Sequence, residues 1–279
     1  MSRVIRAALF QAAWTGDKES MIQVHEQAVR DAAAQGAQVL CFQELFYGPY
    51  FCQVQDKAFY DYAERIPDGP TVKRFQSLAR ALGIVLILPM YEEEQPGVLY
   101  NTAAVIDADG TYLASTARRT SRRCGGSGRS STSARATAAG PSSTPPSAGS
   151  ASTSATTATS PSWRALGLAG AEIVFNPSAT SRGLSRYLWQ LEQPAAAVAN
   201  EYFVGAINRV GVEDLGDNDF YGTTYFVDPE AQYVGEVAGD KENELVVRDL
   251  DLAKLREVRD RWQFYRDRAP GAYTPLTAP

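Results

Sequence analysis

The chain has 279 residues and a mass of 30.3 kDa, which fits one large α/β domain or two small ones. Its hydrophobic content of 44% is ordinary for a soluble protein, and its net charge of −5 gives no electrostatic reason to expect nucleic acid or an anionic membrane as partner. The N-terminus lacks the pattern of a signal peptide, and no apolar run is long enough to span a bilayer. Irregular spacing of the three cysteines argues against a disulfide framework or a zinc site: Cys41, Cys52 and Cys124. These features predict a cytoplasmic enzyme.

The first part of the chain alternates strand-like and helical patterns. Short apolar runs predict strands at 4–11, 39–42, 84–90 and 101–106. Apolar residues at a helical spacing predict helices at 18–34 and 71–82, the second stopped by Gly83. This alternation is typical of a sheet covered by helices.

The same alternation resumes after residue 162. Helices are predicted at 163–170, 185–200 and 252–266, and strands at 172–175, 202–207, 220–227 and 244–248. A proline-containing tail follows from about residue 267. Because no internal repeat is present, we expect one domain that spans residues 1–279.

The only histidine, His25, lies inside the first predicted helix. A Ser-His-Asp or Cys-His enzyme needs a histidine as its base. The pattern favours a position on the helix surface over that role. A covalent hydrolase with this sequence would therefore activate its nucleophile with another group.

Residues 114–162, the biased segment, differ from the rest of the chain. Every residue in it is Ala, Ser, Thr, Arg, Gly, Pro or Cys. One interpretation is a disordered low-complexity linker. A second concerns origin: all seven residue types have codons with C or G in the middle position. A GC-rich gene carries mostly G or C at the third position of each codon, and a shift in frame turns these third positions into middle positions. Translation in the shifted frame therefore gives only these residue types and tryptophan.

Reversing such a shift in frame permits other amino-acid strings at these positions. Residues 115–122 can read K-Y-R-K-x-H-I-P, residues 127–133 F-W-E-K-F-Y-F, and residues 153–161 Y-I-C-Y-D-R-H-F-P. Each decoding is permitted but not unique. A sequencing error and a real pair of compensating shifts both fit the pattern. Each large apolar side chain lost from the core removes roughly 1.5–3 kcal/mol, so we expect the biased segment to be disordered and the fold to be destabilised.

The decoded strings and the intact blocks around them resemble the nitrilase-like carbon–nitrogen hydrolases. Within this superfamily they are most similar to the branch that hydrolyses N-carbamoyl amines and amino acids. The intact blocks are residues 42–46, 163–166, 170–172, 176–179, 202–211, 220–229 and 261–266. The resemblance implies a four-layer α-β-β-α sandwich, a Glu-Lys-Cys catalytic set, and no metal or organic cofactor.

The resemblance assigns the catalytic roles. A cysteine thiolate would attack an amide-type carbon, a carboxylate would act as base, and a lysine would stabilise the oxyanion. Glu44, at a strand end, would be the base. The lysine and the cysteine would fall at Arg118 and Ala155, so this chain lacks both.

Three further residues lie just beyond predicted strand ends, where substrate-binding side chains occur: Tyr47, Asn176 and Ser178. Ordinary loop packing explains their positions equally well. On the helix at 185–200, Trp189 and Glu192 are better explained as packing or interface residues.

The resemblance implies a homo-oligomeric amidohydrolase that acts on a small N-carbamoyl or amide substrate. A related amidase or nitrilase with another substrate is the alternative within enzymes. A catalytically dead scaffold or pseudoenzyme is the alternative of a different class, because Arg118 and Ala155 replace the expected lysine and cysteine.

Overall fold

The computed structural model describes residues 3–54, 56–119, 150–152, 161–216 and 218–274, with the backbone alone for 115–119, 150–152 and 161. The strands are β1 (Val4–Ala12), β2 (Val39–Phe42), β3 (Val85–Gln95), β4 (Val98–Ile106), β5 (Tyr112–Arg119), β6 (Ser150–Ser152), β7 (Ile173–Ser178), β8 (Phe203–Asn208), β9 (Val210–Glu213), β10 (Asn218–Tyr221), β11 (Tyr225–Val227) and β12 (Asn243–Asp251). The helices are α1 (Lys18–Ala34), α2 (Pro70–Leu82), α3 (Pro161–Leu168), α4 (Leu184–Asn200) and α5 (Ala253–Trp262), and short 3-10 helices occur at Lys57–Tyr62 and Pro270–Tyr273. In the part of the chain that the structure describes, no helix is both long and apolar enough to cross a membrane.

The described strands form two main sheets and a small hairpin. The first sheet has the order β12-β1-β2-β3-β4-β5, and the second has the order β11-β8-β7-β6. Strands β1, β2 and β3 run parallel, as do β6, β7 and β8. The hairpin pairs β9 with β10.

Three clusters of buried apolar side chains define four layers. The first packs α1 and α2 on the outer face of the first sheet, through residues such as Val29, Phe75 and Leu86. The second lies between the sheets, where Leu9 and Ile87 meet Phe175. The third packs α3 and α4 on the second sheet. The expected α-β-β-α sandwich is therefore confirmed.

The ends of the first two helices follow from local chemistry. Asp17 caps α1, because its carboxylate accepts a hydrogen bond from the Ser20 backbone N–H at 2.9 Å. The α2 helix ends at Gly83, whose φ of +67° belongs to the left-handed region that glycine adopts readily. Both helices match the sequence prediction to within one residue.

The predicted strand at 220–227 is wrong as a single element. The chain forms β10, turns at Gly222 and Thr223 with φ of +63° and +62°, and then enters β11 of the second sheet. Apolar residues on both sides of this turn concealed the break. The predicted helix at 252–266 is likewise too long, because Gln263 adopts φ of +54° and ends α5.

The expected disorder of the biased segment is wrong at its described ends. Strand β5 enters the segment and pairs with β4, while β6 pairs with β7. Strand pairing uses backbone N–H and C=O groups, which do not depend on the side chains that the segment carries. Residues 120–149 and 153–160 lie outside the described residues.

Candidate active site

The carboxyl ends of β2 and β8 meet at one edge of the sandwich. Glu44 follows β2, and Arg209 follows β8. The guanidinium of Arg209 donates hydrogen bonds of 3.0 Å to the backbone carbonyl oxygens of Glu44 and Leu45. These contacts bring the two sheets together around the glutamate.

Glu44 is a buried carboxylate, with 3% of its surface exposed. The side-chain amide of Asn101 donates a hydrogen bond to Glu44 Oε1. Asn101 lies on β4 and is itself buried. A carboxylate kept from water and oriented by an amide is suited to accept and return a proton at one fixed place.

Backbone pairing places position 118 next to this pair. Tyr91 of β3 pairs with Asn101 of β4, which pairs in turn with Arg118 of β5. The residue at 118 is therefore the direct cross-strand neighbour of the residue that holds Glu44. Sequence reasoning put the family lysine at this position.

The chain leaves β6 at the same edge. Because β6 runs parallel to β7 and β8, its carboxyl end lies on the side where Arg209 follows β8. Ser152, the last residue of β6, pairs with Phe175. Ala155, where the family cysteine would fall, comes three residues later in the sequence and lies outside the described residues.

Tyr47 is packed in the helix-facing layer of the first sheet. Its hydroxyl lies 3.0 Å from the carbonyl oxygen of Tyr62 and 3.2 Å from that of Tyr91. The Lys18 ammonium lies 4.6 Å from the centre of its ring. Burial raises the pKa of the Tyr47 phenol well above its usual value. The described contacts of Tyr47 are with protein groups, and its role in substrate binding stays a prediction.

Asn176 and Ser178 lie on β7 and are buried. Asn176 Nδ2 donates a hydrogen bond of 3.0 Å to Gln193 Oε1 of α4. Among the described residues, Asn176 Oδ1 and Ser178 Oγ are buried and have no hydrogen-bond partner. Such groups are costly to bury, so they point to a partner outside the described residues or to a bound molecule. Substrate binding by either residue stays a prediction.

The surface position expected for His25 is wrong. The side chain is fully buried, and its ring nitrogens contact the Met21 carbonyl oxygen at 2.7 Å and Gln43 Oε1 at 3.1 Å. Burial lowers the pKa of His25 to about 4, outweighing both hydrogen bonds. The ring packs against Phe10, Phe42 and Phe46. His25 is therefore a neutral core side chain that hydrogen-bonds to Gln43, the residue before Glu44.

Other predicted roles are now placed in the fold. Trp189 is buried, and its indole N–H donates to the Thr223 carbonyl oxygen at 2.9 Å, as expected of a packing residue. Cys41 is fully buried in β2, and burial raises the pKa of its thiol. Within the described ranges, no group of three or more His, Cys, Asp and Glu side chains is placed to hold a metal ion.

Sequence reasoning missed two residues of this site. Asn101 was counted only as the start of an apolar strand, although a polar residue at that buried position was a usable signal. Arg209 was recognised only as part of a sequence block. Neither contact with Glu44 could be read from spacing, because the partners are 57 and 165 residues apart in the sequence.

Comparisons with known proteins agree with this architecture. The carbon–nitrogen hydrolase family model matches residues 6–260. An N-carbamoylputrescine amidase of Solanum lycopersicum is 34% identical over 99% of this chain and 95% of its own length. A beta-ureidopropionase of Arabidopsis thaliana is 31% identical over 99% of this chain and 73% of its own length.

The fold is shared with a solved relative. A carbon–nitrogen hydrolase of Helicobacter pylori G27 superposes with a TM-score of 0.84 at 25% identity, covering 99% of both chains. The family model, the two amidohydrolase relatives and this shared fold agree on one assignment. The chain belongs to the carbon–nitrogen hydrolase family, whose members are hydrolases of non-peptide C–N bonds.

Proposed function

We propose that the native protein hydrolyses a linear C–N bond of an N-carbamoyl amine or N-carbamoyl amino acid, with Glu44 as general base. The observation that carries this proposal is the buried Glu44 carboxylate, held by Asn101 beside backbone position 118. The names of the two plant relatives support an N-carbamoyl substrate.

The proposed reaction has two halves. Glu44 accepts the proton of the cysteine thiol, and the thiolate attacks the carbonyl carbon. The C–N bond breaks as the leaving nitrogen takes that proton from Glu44. Water then attacks the acyl-thioester and gives its proton to Glu44. The C–S bond breaks, and the proton returns to the thiolate. A lysine beside Glu44 would stabilise the oxyanion formed in each half.

The sequenced chain carries Arg118 and Ala155 in place of that lysine and cysteine. Alanine has no nucleophilic atom, so we infer that the sequenced chain does not turn over. The shifted frame accounts for both replacements at once. An active enzyme would result from the frame-restored chain, in which the biased segment is translated in the other frame.

Three further assignments belong to this proposal. Tyr47, Asn176 and Ser178 would contribute to substrate binding. The enzyme would need no metal or organic cofactor. It would be a cytoplasmic homo-oligomer. Light scattering of the purified protein tests its oligomeric state.

The second candidate function is a catalytically dead scaffold of the same fold. Ala155 is the observation that favours it, because a chain without a nucleophile can still bind a partner or a ligand. Under this proposal the shift in frame is real and the gene product is the sequenced chain.

Resequencing the gene across codons 110 to 165 separates the two candidates. We expect one continuous frame that encodes lysine near position 118 and cysteine near position 155. Confirmation of the present sequence in the gene and its transcript would reject the enzyme and leave the scaffold.

A further inference from the structure

We propose that Arg209 is a positioning residue that fixes the backbone of the Glu44 loop, which comprises residues 43–50. This inference rests on the proposed function, since it assigns how the general base is held. It concerns a residue that touches the main chain of the loop and not the reacting atoms.

Arg209 is a charged side chain with 0% of its surface exposed. Its guanidinium donates 3.0 Å hydrogen bonds to three carbonyl oxygens, those of Glu44, Leu45 and Gly48. Its Nε donates to Glu213 Oε1 at 2.9 Å. One planar group therefore holds three carbonyl oxygens of the loop, which belong to residues 44, 45 and 48.

The loop needs such a donor because its backbone is irregular. Leu45 adopts φ of +50°, which is unfavourable for a leucine and turns the chain directly after Glu44. The turn directs carbonyl oxygens into the protein interior, where they need hydrogen-bond donors. Arg209 supplies donors to the carbonyl oxygens of Glu44 and Leu45 at this turn.

Glu213 both neutralises Arg209 and extends the attachment. The two side chains form a fully buried ion pair. The other carboxylate oxygen of Glu213 accepts a 2.6 Å hydrogen bond from the Tyr50 backbone N–H. The pair therefore holds the loop at both ends, through carbonyl oxygens near Glu44 and through an amide at Tyr50.

The backbone that carries Arg209 is itself held in place. The side chain of the preceding Asn208 accepts a hydrogen bond from the Thr180 backbone N–H at 2.8 Å and donates to the Thr180 carbonyl oxygen at 3.1 Å. The Asn208-Arg209 pair thus links the second sheet to the loop that carries the base. Lysine cannot replace this arrangement, because one ammonium group lacks the planar fork that reaches several acceptors.

The test compares Arg209→Lys with Arg182→Lys. Arg182 is the matched control, because its guanidinium also pairs with an acidic side chain, Asp219, but at the surface. In the frame-restored chain, we expect Arg209→Lys to lower kcat by roughly 10- to 100-fold, as a displaced base does. KM should stay within about threefold, because the arginine does not touch substrate. The control should keep both constants.

A structural readout accompanies the kinetics. Three residues of the loop have hydrogen-bonded backbone N–H groups: Phe46 donates to the Pro89 carbonyl oxygen, Gly48 to the Leu45 carbonyl oxygen, and Tyr50 to Glu213. Hydrogen exchange at these amides should accelerate by about tenfold or more in Arg209→Lys and stay unchanged in Arg182→Lys. A loss of stability alone would accelerate exchange in the core of both sheets as well.

The outcomes separate the two proposals. An unchanged kcat together with unchanged exchange in Arg209→Lys would overturn the role of Arg209. If the frame-restored chain shows no turnover before any substitution, the proposed function fails. In that case, hydrogen exchange at the loop amides is compared with and without Arg209→Lys, both in the sequenced chain and in the restored chain. This comparison still decides whether Arg209 fixes the loop.

Discussion

At the residue scale, the account depends on the carboxylate of Glu44. We predict that Glu44→Gln in the frame-restored chain lowers kcat/KM by about 10²- to 10⁴-fold, the usual contribution of a general base. Glutamine keeps the shape of the side chain but cannot accept the proton. Ammonia release is the measurement. The exposed Glu257 on α5 provides a control, because Glu257→Gln removes the same charge from a helix that follows β12 beside the start of β1, at the opposite edge of the first sheet. Equal activity of the two variants would refute the assignment.

His25 gives a prediction on the pH dependence of stability. Burial lowers its pKa to about 4 from 6.5 in the unfolded chain, so the unfolded chain binds the proton more tightly. Above pH 6.5 the histidine is neutral in both states and does not change the free energy of unfolding. As the pH falls from 6.5 toward 4, the unfolded chain takes up the proton first, and the folded state loses stability. Between about pH 7.5 and pH 5 this loss should be about 2 kcal/mol in free energy of unfolding.

Urea unfolding of the parent and of His25→Gln at both pH values measures this term. Other titrating groups are common to the two proteins, so the difference between their pH slopes isolates the histidine. We expect the variant to lose less stability on acidification. Identical slopes would show that His25 titrates alike in the folded and unfolded states.

These two residues show how far sequence reasoning reaches at this scale. The role of Glu44 was inferred from the resemblance of residues 42–46 to a family block, because its position shortly after β2 alone favours an ordinary loop glutamate. His25 occupies the same face of α1 as Met21 and Ala32, and its spacing was in fact that of a core residue. It was missed because histidine is often found at surfaces or in sites, and one of its two hydrogen-bond partners, Gln43, comes from another part of the chain.

At the scale of elements, the contact between the two sheets depends on Gly205 of β8. A methyl group there would lie 2.9 Å from the Phe226 ring, 3.0 Å from Leu9 and 3.0 Å from the Phe175 ring. We predict that Gly205→Ala destabilises the protein by roughly 1–3 kcal/mol, because the sheets must separate or side chains must leave their rotamers. The midpoint of denaturant unfolding measures this loss.

Gly239→Ala is the matched control for Gly205→Ala. A methyl group at Gly239 would have no heavy atom within 4 Å, and the backbone there has no positive φ. Its stability should stay within about 0.5 kcal/mol of the parent. A Gly205→Ala variant as stable as this control would show that the sheets do not pack closely at β8.

Helix and strand order was largely predictable, whereas breaks and pairings were not. Hydrophobic periodicity located α1, α2 and the buried strands because each depends on its own residues. The break at Gly222 and Thr223 depends on which sheet each flanking strand joins, a property of the whole fold. Residues 114–119 of β5 and the whole of β6 have no apolar pattern, and they form strands by backbone pairing with β4 and β7.

At the scale of the whole molecule, the four layers explain why the site lies at one edge. Parallel strands β2 and β8 end there, on facing sheets, and the two sheets are joined by the apolar cluster between them. The fold could be predicted from the sequence only through resemblance, since periodicity indicates strands and helices but not their order in sheets.

Ammonia release from N-carbamoylputrescine and N-carbamoyl-β-alanine, measured side by side for the sequenced and the frame-restored chain, tests the central claim most directly. We predict that the restored chain hydrolyses at least one of these substrates and that the sequenced chain hydrolyses neither, because only the restored chain has a thiol to attack the carbonyl carbon. Equal turnover by both chains would contradict the assigned roles of positions 118 and 155, and no turnover by the restored chain would contradict the proposed function.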